Sequence, residues 1–311
     1  MSRERPDKTS FMELPVEEVR RLVLQKKNPL TGIFVADGNR RLVMTQTGLI
    51  PTADGFYEAY LKIITEFFME NLRVFFSHGL HTLLFPLFGS SLLARDETYR
   101  QTVMPELVRI LFNSEEWQSF YREQGIRIHA YGDLNLLDRH FNDLNLMEKI
   151  KQGEQLTAAH PHHRLFYGFF SNSAFDRTFI EESRRFLHDH NRVPNPGESA
   201  KIYYGEPVDE ADFFITSTRP GYLGALPPFA YGKNTRVYTL AAPGVFALNE
   251  NTYREILFDI FHSEPHAAGT NPAGIDADSL RELGNFYRRN RNRVIGTGKM
   301  IGQWWVPDET N

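Results

Sequence analysis

Two rhythms of apolar and polar positions alternate along the chain. Short apolar runs bounded by Gly, Asp, Asn or Pro recur at Gly32–Ala36, Thr82–Phe88, Arg127–Tyr131, Arg164–Phe170, Asp212–Thr216 and Thr235–Ala241. Their length and boundaries predict buried strands. The stretches between them place apolar residues at helical spacing. Pro15–Lys26 carries Val16, Val19, Leu22 and Val23 on one side, and Phe56–His78 carries Tyr60, Ile63, Ile64, Phe67, Phe68, Leu72 and Phe75, with Gly79 as its C-cap. Further helices are expected over Asp96–Gln124, interrupted near Pro105 and Asn113-Ser114, and over Asn142–Gly153, Ala174–Asn191, Asn249–His262 (N-capped by Asn249) and Asp278–Asn290. Thr45–Gly55 reads as a polar loop, Pro194-Asn195-Pro196-Gly197 as a turn, and Ser263–Gly274 as a mobile loop. Strands alternating with helices predict an α/β fold with a mainly parallel, six-stranded sheet.

Composition narrows this picture. With 311 residues, 41% of them hydrophobic, the chain can bury a sizeable core, and no linker divides it. One domain over 1–311 is the expectation. The absence of cysteine removes disulfide and thiol chemistry and fits a reducing compartment, so a cytoplasmic location is expected. A net charge of −4 implies no general nucleic-acid surface. The first ten residues lack the apolar stretch of a signal peptide, and no apolar run approaches the roughly 20 residues of a membrane helix. The 25 phenylalanines are enough both to fill a core and to line a greasy pocket.

Candidate chemistry concentrates just after the first strand, in Asp37-Gly38-Asn39-Arg40-Arg41. A carboxylate at the C-terminal end of a parallel strand sits where open α/β sheets place their ligands. Two arginines opening a helix add charged forks to its free backbone N–H groups, which suits an anion such as diphosphate. From spacing alone, the segment reads equally well as a strand, an Asp-Gly turn and a solvated arginine pair.

The same segment resembles the Asp-Gly-Asn-(Gly)-Arg signature of cis-prenyltransferases, and most closely their atypical diterpene-synthase branch, the tuberculosinol synthase/tuberculosinyl adenosine transferase group with its relative kolavelool synthase. Tyr203-Tyr204-Gly205-Glu206-Pro207-Val208-Asp209-Glu210-Ala211-Asp212 and Arg293-Val294-Ile295-Gly296-Thr297-Gly298 extend the likeness, which runs from about Met12 to Trp305. The resemblance implies the undecaprenyl diphosphate synthase-like fold, as a homodimer. It implies Mg²⁺ held by Asp37, and a diphosphate gripped by Gly38, Asn39, Arg40 and Arg41. Tyr60 aligns with a tyrosine implicated in that branch, where it offers a π face to a carbocation or orients a water; otherwise it is a half-buried helix tyrosine.

Departures from the family pattern are equally informative. Chain-elongating members resemble Ile-Arg-Thr-Gly-Gly-Glu-x-Arg where this chain has Ile215-Thr216-Ser217-Thr218-Arg219-Pro220-Gly221-Tyr222, so their two diphosphate-binding arginines are replaced by Thr216 and Tyr222. Arg219 matches an arginine of the tuberculosinol branch, and is either a diphosphate ligand or a solvated loop residue. Arg293 belongs to a basic run that in the family reaches an active site across the dimer, although the family's Arg-x-Gly is here Arg293-x-x-Gly296. His160-x-His162-His163 lacks the partners of a zinc site. Neither the Asp-Asp-x-x-Asp motif of class I terpene synthases nor the Asp-x-Asp-Asp of protonation-type cyclases is present. The resemblance therefore implies ionisation of one bicyclic C20 prenyl diphosphate (labdane or clerodane type) supplied by a class II diterpene cyclase. Water capture to a diterpene alcohol is the expected outcome; transfer to adenosine and chain elongation are the alternatives.

Overall fold

All six expected strands form, and they form one parallel sheet: β1 (Thr31–Phe34), β2 (Thr82–Phe88), β3 (Ile126–Gly132), β4 (His163–Phe169), β5 (Phe213–Thr216) and β6 (Arg236–Thr239), in the order β3-β4-β2-β1-β5-β6. The computed structural model describes residues 7–27, 29–89, 92, 95, 97–141, 145–170, 177–217, 226–262, 276–302 and 304–308.

Period-two alternation gives each face of the sheet its own core. Phe34, Leu83, Phe85, Phe213 and Ile215 face the long helix α4 (Phe56–Ser77; α1–α3 are Lys8–Met12, Val16–Lys26 and Asn39–Thr47). There Phe34 meets Phe75 edge-on at 5.4 Å, and Phe68 meets Phe85 at 5.0 Å. Gly32 stands between large residues because the Phe213 ring lies over its Cα; a Cβ there would overlap that ring. On the opposite face Ile33, Leu84, Phe166 and Phe214 pack against Tyr203 and Tyr204.

The remaining helices are α5 (Met104–Asn113), α6 (Glu115–Gln124), α7 (Leu134–Phe141), α8 (Leu146–Thr157), α9 (Arg177–His190), α10 (Pro196–Tyr204), α11 (Gly244–Ala247), α12 (Glu250–His262) and α13 (Ala277–Asn290). A two-stranded antiparallel hairpin, β7 (Gly298–Ile301) with β8 (Trp304–Pro307), follows.

Several local expectations need correction. The segment expected to be loop from Thr45 is still helical through Thr47, ending at Gly48 with φ +73°. Pro194–Gly197 is not a free turn: Asn195 caps α10, with Glu198 closing a capping box and Pro196 at the first helical position. Pro105 does not break its helix. Residues 97–113 stay helical, and the strain appears as a π-helical turn at Tyr99–Val103. The proline ring crowds the carbonyl four residues back and has no N–H for it, which favours a locally widened helix. The expected break at Ser114 does occur, with Ser114 N-capping α6. Asn142–Asp143 and the Ser263–Gly274 loop lie outside the described residues.

Candidate active site

Strand order places the site. The chain leaves β1 toward β2 and leaves β5 toward β6, in opposite directions, so the crevice beyond β1 and β5 is the topological switch point of the sheet. Asp37 follows β1 and Ser217 follows β5, and the two meet there: Ser217 Oγ donates to the Asp37 carbonyl at 2.9 Å. The backbone N–H of Gly244 donates to the same carbonyl at 3.2 Å. The 244–248 segment is held in turn by the buried Asn71 of α4, whose Nδ2 donates to Val245 O at 3.0 Å and Leu248 O at 2.9 Å. Gly38 turns the chain into α3 with φ +87°, and a Cβ there would press on Pro243 at 3.1 Å and on the Arg41 guanidinium at 3.3 Å.

Asp37 is half-buried, and its Oδ1 accepts the Gly38 N–H at 2.6 Å. Arg40 and Arg41 follow in the first turn of α3, both half-buried, and neither forms an ion pair among the described residues. Two unneutralised guanidinium groups beside one carboxylate form a site with room for anionic charge. Asn39 donates Nδ2 to Ala36 O at 3.1 Å, while its Oδ1 is buried without a hydrogen-bond partner.

Tyr60 joins this group. It is 4% exposed and lies close enough to Asn39, Tyr99 and Arg40 for each of them to bear on its hydroxyl. Burial pushes its hydroxyl well above the usual phenol range, and the neighbouring Tyr99 pushes the same way, so Tyr60 keeps its proton. The Tyr60 and Tyr99 rings meet edge-on at 6.1 Å, and Tyr57 meets Tyr99 at 6.0 Å.

The structure thus gathers Asp37, Gly38, Asn39, Arg40, Arg41 and Tyr60 in one place. It does not bring Arg293 to them through any side-chain hydrogen bond or ion pair: that residue is exposed in the turn after α13. Arg219 and Tyr222 lie outside the described residues. Thr216 is buried in β5. Histidines of the 160–163 cluster serve the opposite, N-terminal end of the strands, where His160 Nδ1 meets Ile126 O at 2.8 Å and His163 Nδ1 meets Leu80 O at 2.7 Å. Sequence reasoning missed Tyr99, Ser217, Asn71 and the Pro243–Gly244 clamp. None has a motif, and each gains meaning through a partner distant in the chain.

Among the described residues no cluster of three or more His, Asp or Glu forms a protein-only metal cage. The donors present still fit Mg²⁺, which binds hard oxygen through one or two carboxylates plus phosphate oxygens. Asp37 offers its carboxylate and Asn39 its unpartnered Oδ1.

No family model matches the chain. Among solved structures it is similar to lavandulyl diphosphate synthase from Lavandula x intermedia in complex with dimethylallyl diphosphate (TM-score 0.57, 12% identity, 80% of this chain and 98% of that one). It is also similar to a probable undecaprenyl diphosphate synthase from Campylobacter jejuni (TM-score 0.54, 15% identity, 78% and 100%). The fold is therefore that of the cis-prenyltransferases. By sequence, the chain is 30% identical over 308 residues to tuberculosinyl adenosine transferase of Mycobacterium tuberculosis, covering 96% of this chain and 97% of the relative. It is 22% identical over 312 residues to (+)-kolavelool synthase of Herpetosiphon aurantiacus, covering 98% and 97%. The chain belongs to the tuberculosinyl adenosine transferase family within that fold.

Proposed function

We propose that this protein is a diterpene synthase that ionises a bicyclic C20 prenyl diphosphate, of labdane or clerodane type, and delivers water to the allylic cation. The observation that carries the reading is the placing of one carboxylate, Asp37, beside Arg40 and Arg41, which form no ion pair among the described residues, at the switch-point crevice. The allylic C–O bond breaks with its electron pair going to the diphosphate, whose oxygens Arg40 and Arg41 hold as bidentate forks alongside the backbone of Gly38 and Asn39. Asp37 and Asn39 would hold a Mg²⁺ ion, which would supply positive charge to the same leaving group. A water oriented by Tyr60 forms the new C–O bond, and the oxonium proton passes to the released diphosphate. Arg219 is assigned to the same diphosphate.

A homodimer completes the proposal. Leu280, Leu283, Phe286 and Tyr287 of α13 are exposed, as are Ile295 and Ile301 beyond it, and a second copy would cover them. Arg293 then serves the diphosphate site of the partner. The substrate requires a separate class II cyclase, because this chain lacks the acidic motif that protonates an alkene. No described helix is long and apolar enough to cross a membrane.

A second reading, transfer of the diterpenyl group to adenosine, is favoured by the name of the 30%-identical relative. Incubation with Mg²⁺ and a panel of C15 and C20 diphosphates, with and without adenosine, separates the two by mass spectrometry. Free alcohol as the main product at millimolar adenosine supports the synthase. A prenylated nucleoside formed with saturation in adenosine replaces it with the transferase.

A further inference from the structure

The four-residue helix α11 is too short to persist on its own, so its place is set from outside. Side chains hold its C-terminal end. Ala247 O accepts from Thr252 Oγ1 at 3.0 Å, and Val245 O and Leu248 O accept from Nδ2 of Asn71 on α4 at 3.0 and 2.9 Å. Two carbonyls can be met only by the amide nitrogen, which fixes the orientation of the Asn71 side chain. Its Oδ1 is thereby left buried without a hydrogen-bond partner. Asn71 is 1% exposed, and the buried positions around it on α4 are Phe68, Leu72 and Phe75. A leucine would spare that face of α4 a buried, unsatisfied oxygen, so the packing of α4 alone does not call for an asparagine.

At its other end α11 meets the site. Gly244 N–H donates to the Asp37 carbonyl at 3.2 Å, and Ser217 Oγ donates to it at 2.9 Å. Two donors take both lone pairs of one carbonyl oxygen, and so fix the plane of the peptide between Asp37 and Gly38. A planar trans peptide points its N–H away from its C=O. Holding the carbonyl therefore also aims the Gly38 N–H, and it is this N–H that Asp37 Oδ1 accepts at 2.6 Å. The carboxylate is aimed by a peptide plane, the plane is held in part by α11, and α11 is held by Asn71.

We propose that Asn71 is a positioning residue that, through α11 and the Asp37–Gly38 peptide plane, sets the orientation of the Asp37 carboxylate toward the diphosphate site. The consequence for turnover rests on the synthase reading above. Asn71 is buried against α11 and acts on the reaction only through Asp37.

The test compares wild type, Asn71→Leu, Asp37→Ala and the double variant. In the ligand-free protein, amide hydrogen exchange in Asn71→Leu is expected to speed up about tenfold or more at Gly38 and Gly244 while the amides of β2 and β4 stay within about twofold of wild type, the pattern of a local opening. Uniform acceleration across the sheet, or none at Gly38, overturns the inference. With an allylic C20 diphosphate and Mg²⁺, diphosphate release is expected to fall about tenfold in Asn71→Leu, and the double variant is expected to stay within about twofold of Asp37→Ala, because residues acting through one group are not additive. A rate equal to wild type in Asn71→Leu overturns the inference. Losses that multiply in the double variant also overturn it, since a generally weakened fold would lower the rate in either background. Asn71→Ala, with the same expectations, serves if Asn71→Leu folds poorly. If wild type releases no diphosphate, the synthase reading fails and this inference with it; if wild type is active while exchange at Gly38 or the double variant departs from these expectations, only the inference fails.

Discussion

Ser217 Oγ donates to the main-chain carbonyl of Asp37 at 2.9 Å, across 180 residues of sequence, and so ties the C-terminal ends of β5 and β1 together. Gly244 N–H takes the same carbonyl. The direction of the Asp37 loop is therefore set by its backbone. Its carboxylate makes, among the described residues, only the local bond to Gly38.

This division predicts how Asp37→Ala behaves. The carbonyl clamp survives the substitution, so the thermal midpoint should move by no more than a few degrees. Turnover should fall by about 100-fold or more, the scale of losing about 3 kcal/mol of charge stabilisation in the transition state. Calorimetry and a diphosphate-release assay measure the two effects. A folded variant that keeps most of its turnover would remove Asp37 from the chemistry.

Gly38→Ala strikes the same loop through its backbone. The residue sits at φ +87°, which costs an L side chain about 1–2 kcal/mol, and the added Cβ meets Pro243 at 3.1 Å. Urea unfolding should show a loss of that order or more, with activity falling as Arg41 is pushed aside. Unchanged stability and activity would mean that the loop has slack that its contacts do not suggest.

Chain elongation should be absent. Thr216 is buried in β5 at a place where elongating relatives carry a diphosphate-binding arginine. Labelled isopentenyl diphosphate is expected to enter no product longer than the C20 substrate. Robust formation of C25 or longer chains would require a second diphosphate site elsewhere.

His163 makes stability depend on pH. Burial pulls its pKa down from 6.5 to about 4, and in its neutral form Nδ1–H donates to Leu80 O at 2.7 Å. The unfolded chain takes up this proton near pH 6.5, whereas the native chain resists until about pH 4. The contribution is thus intact above about pH 6.5 and is lost as pH falls toward 4, by up to about 3 kcal/mol. Unfolding free energies of wild type and His163→Asn at several pH values in this window test it: the variant should be less stable at pH 7 but show a shallower slope. Parallel slopes would place the titration elsewhere.

Much of the fold was legible because its signals are local. Each of the six strands is a short apolar run, and α4 repeats its apolar residues at helical spacing, so both could be read without knowing their neighbours. The failures were also local in origin. Pro196-Gly197 looks like a turn until Asn195 and Glu198 close a capping box around it, and Pro105 looks like a break until the helix absorbs it as a π turn. The apolar stripe of α13 has no buried residue, so its helical period was readable although nothing in the described chain covers it.

By itself the sequence determined the six strands, the long α4 and the Asp37-Gly38-Asn39-Arg40-Arg41 segment, since each is a pattern within a short window. Only the tertiary structure decided that β1 lies between β2 and β5, which brings Ser217 and Gly244 to the Asp37 carbonyl and Asn71 to the segment behind it. Only it set the Tyr99 ring edge-on to that of Tyr60. The reason is physical: periodicity encodes which face of an element is buried, whereas partners far apart in the chain are chosen by strand order and register, which arise from the packing of all the faces at once.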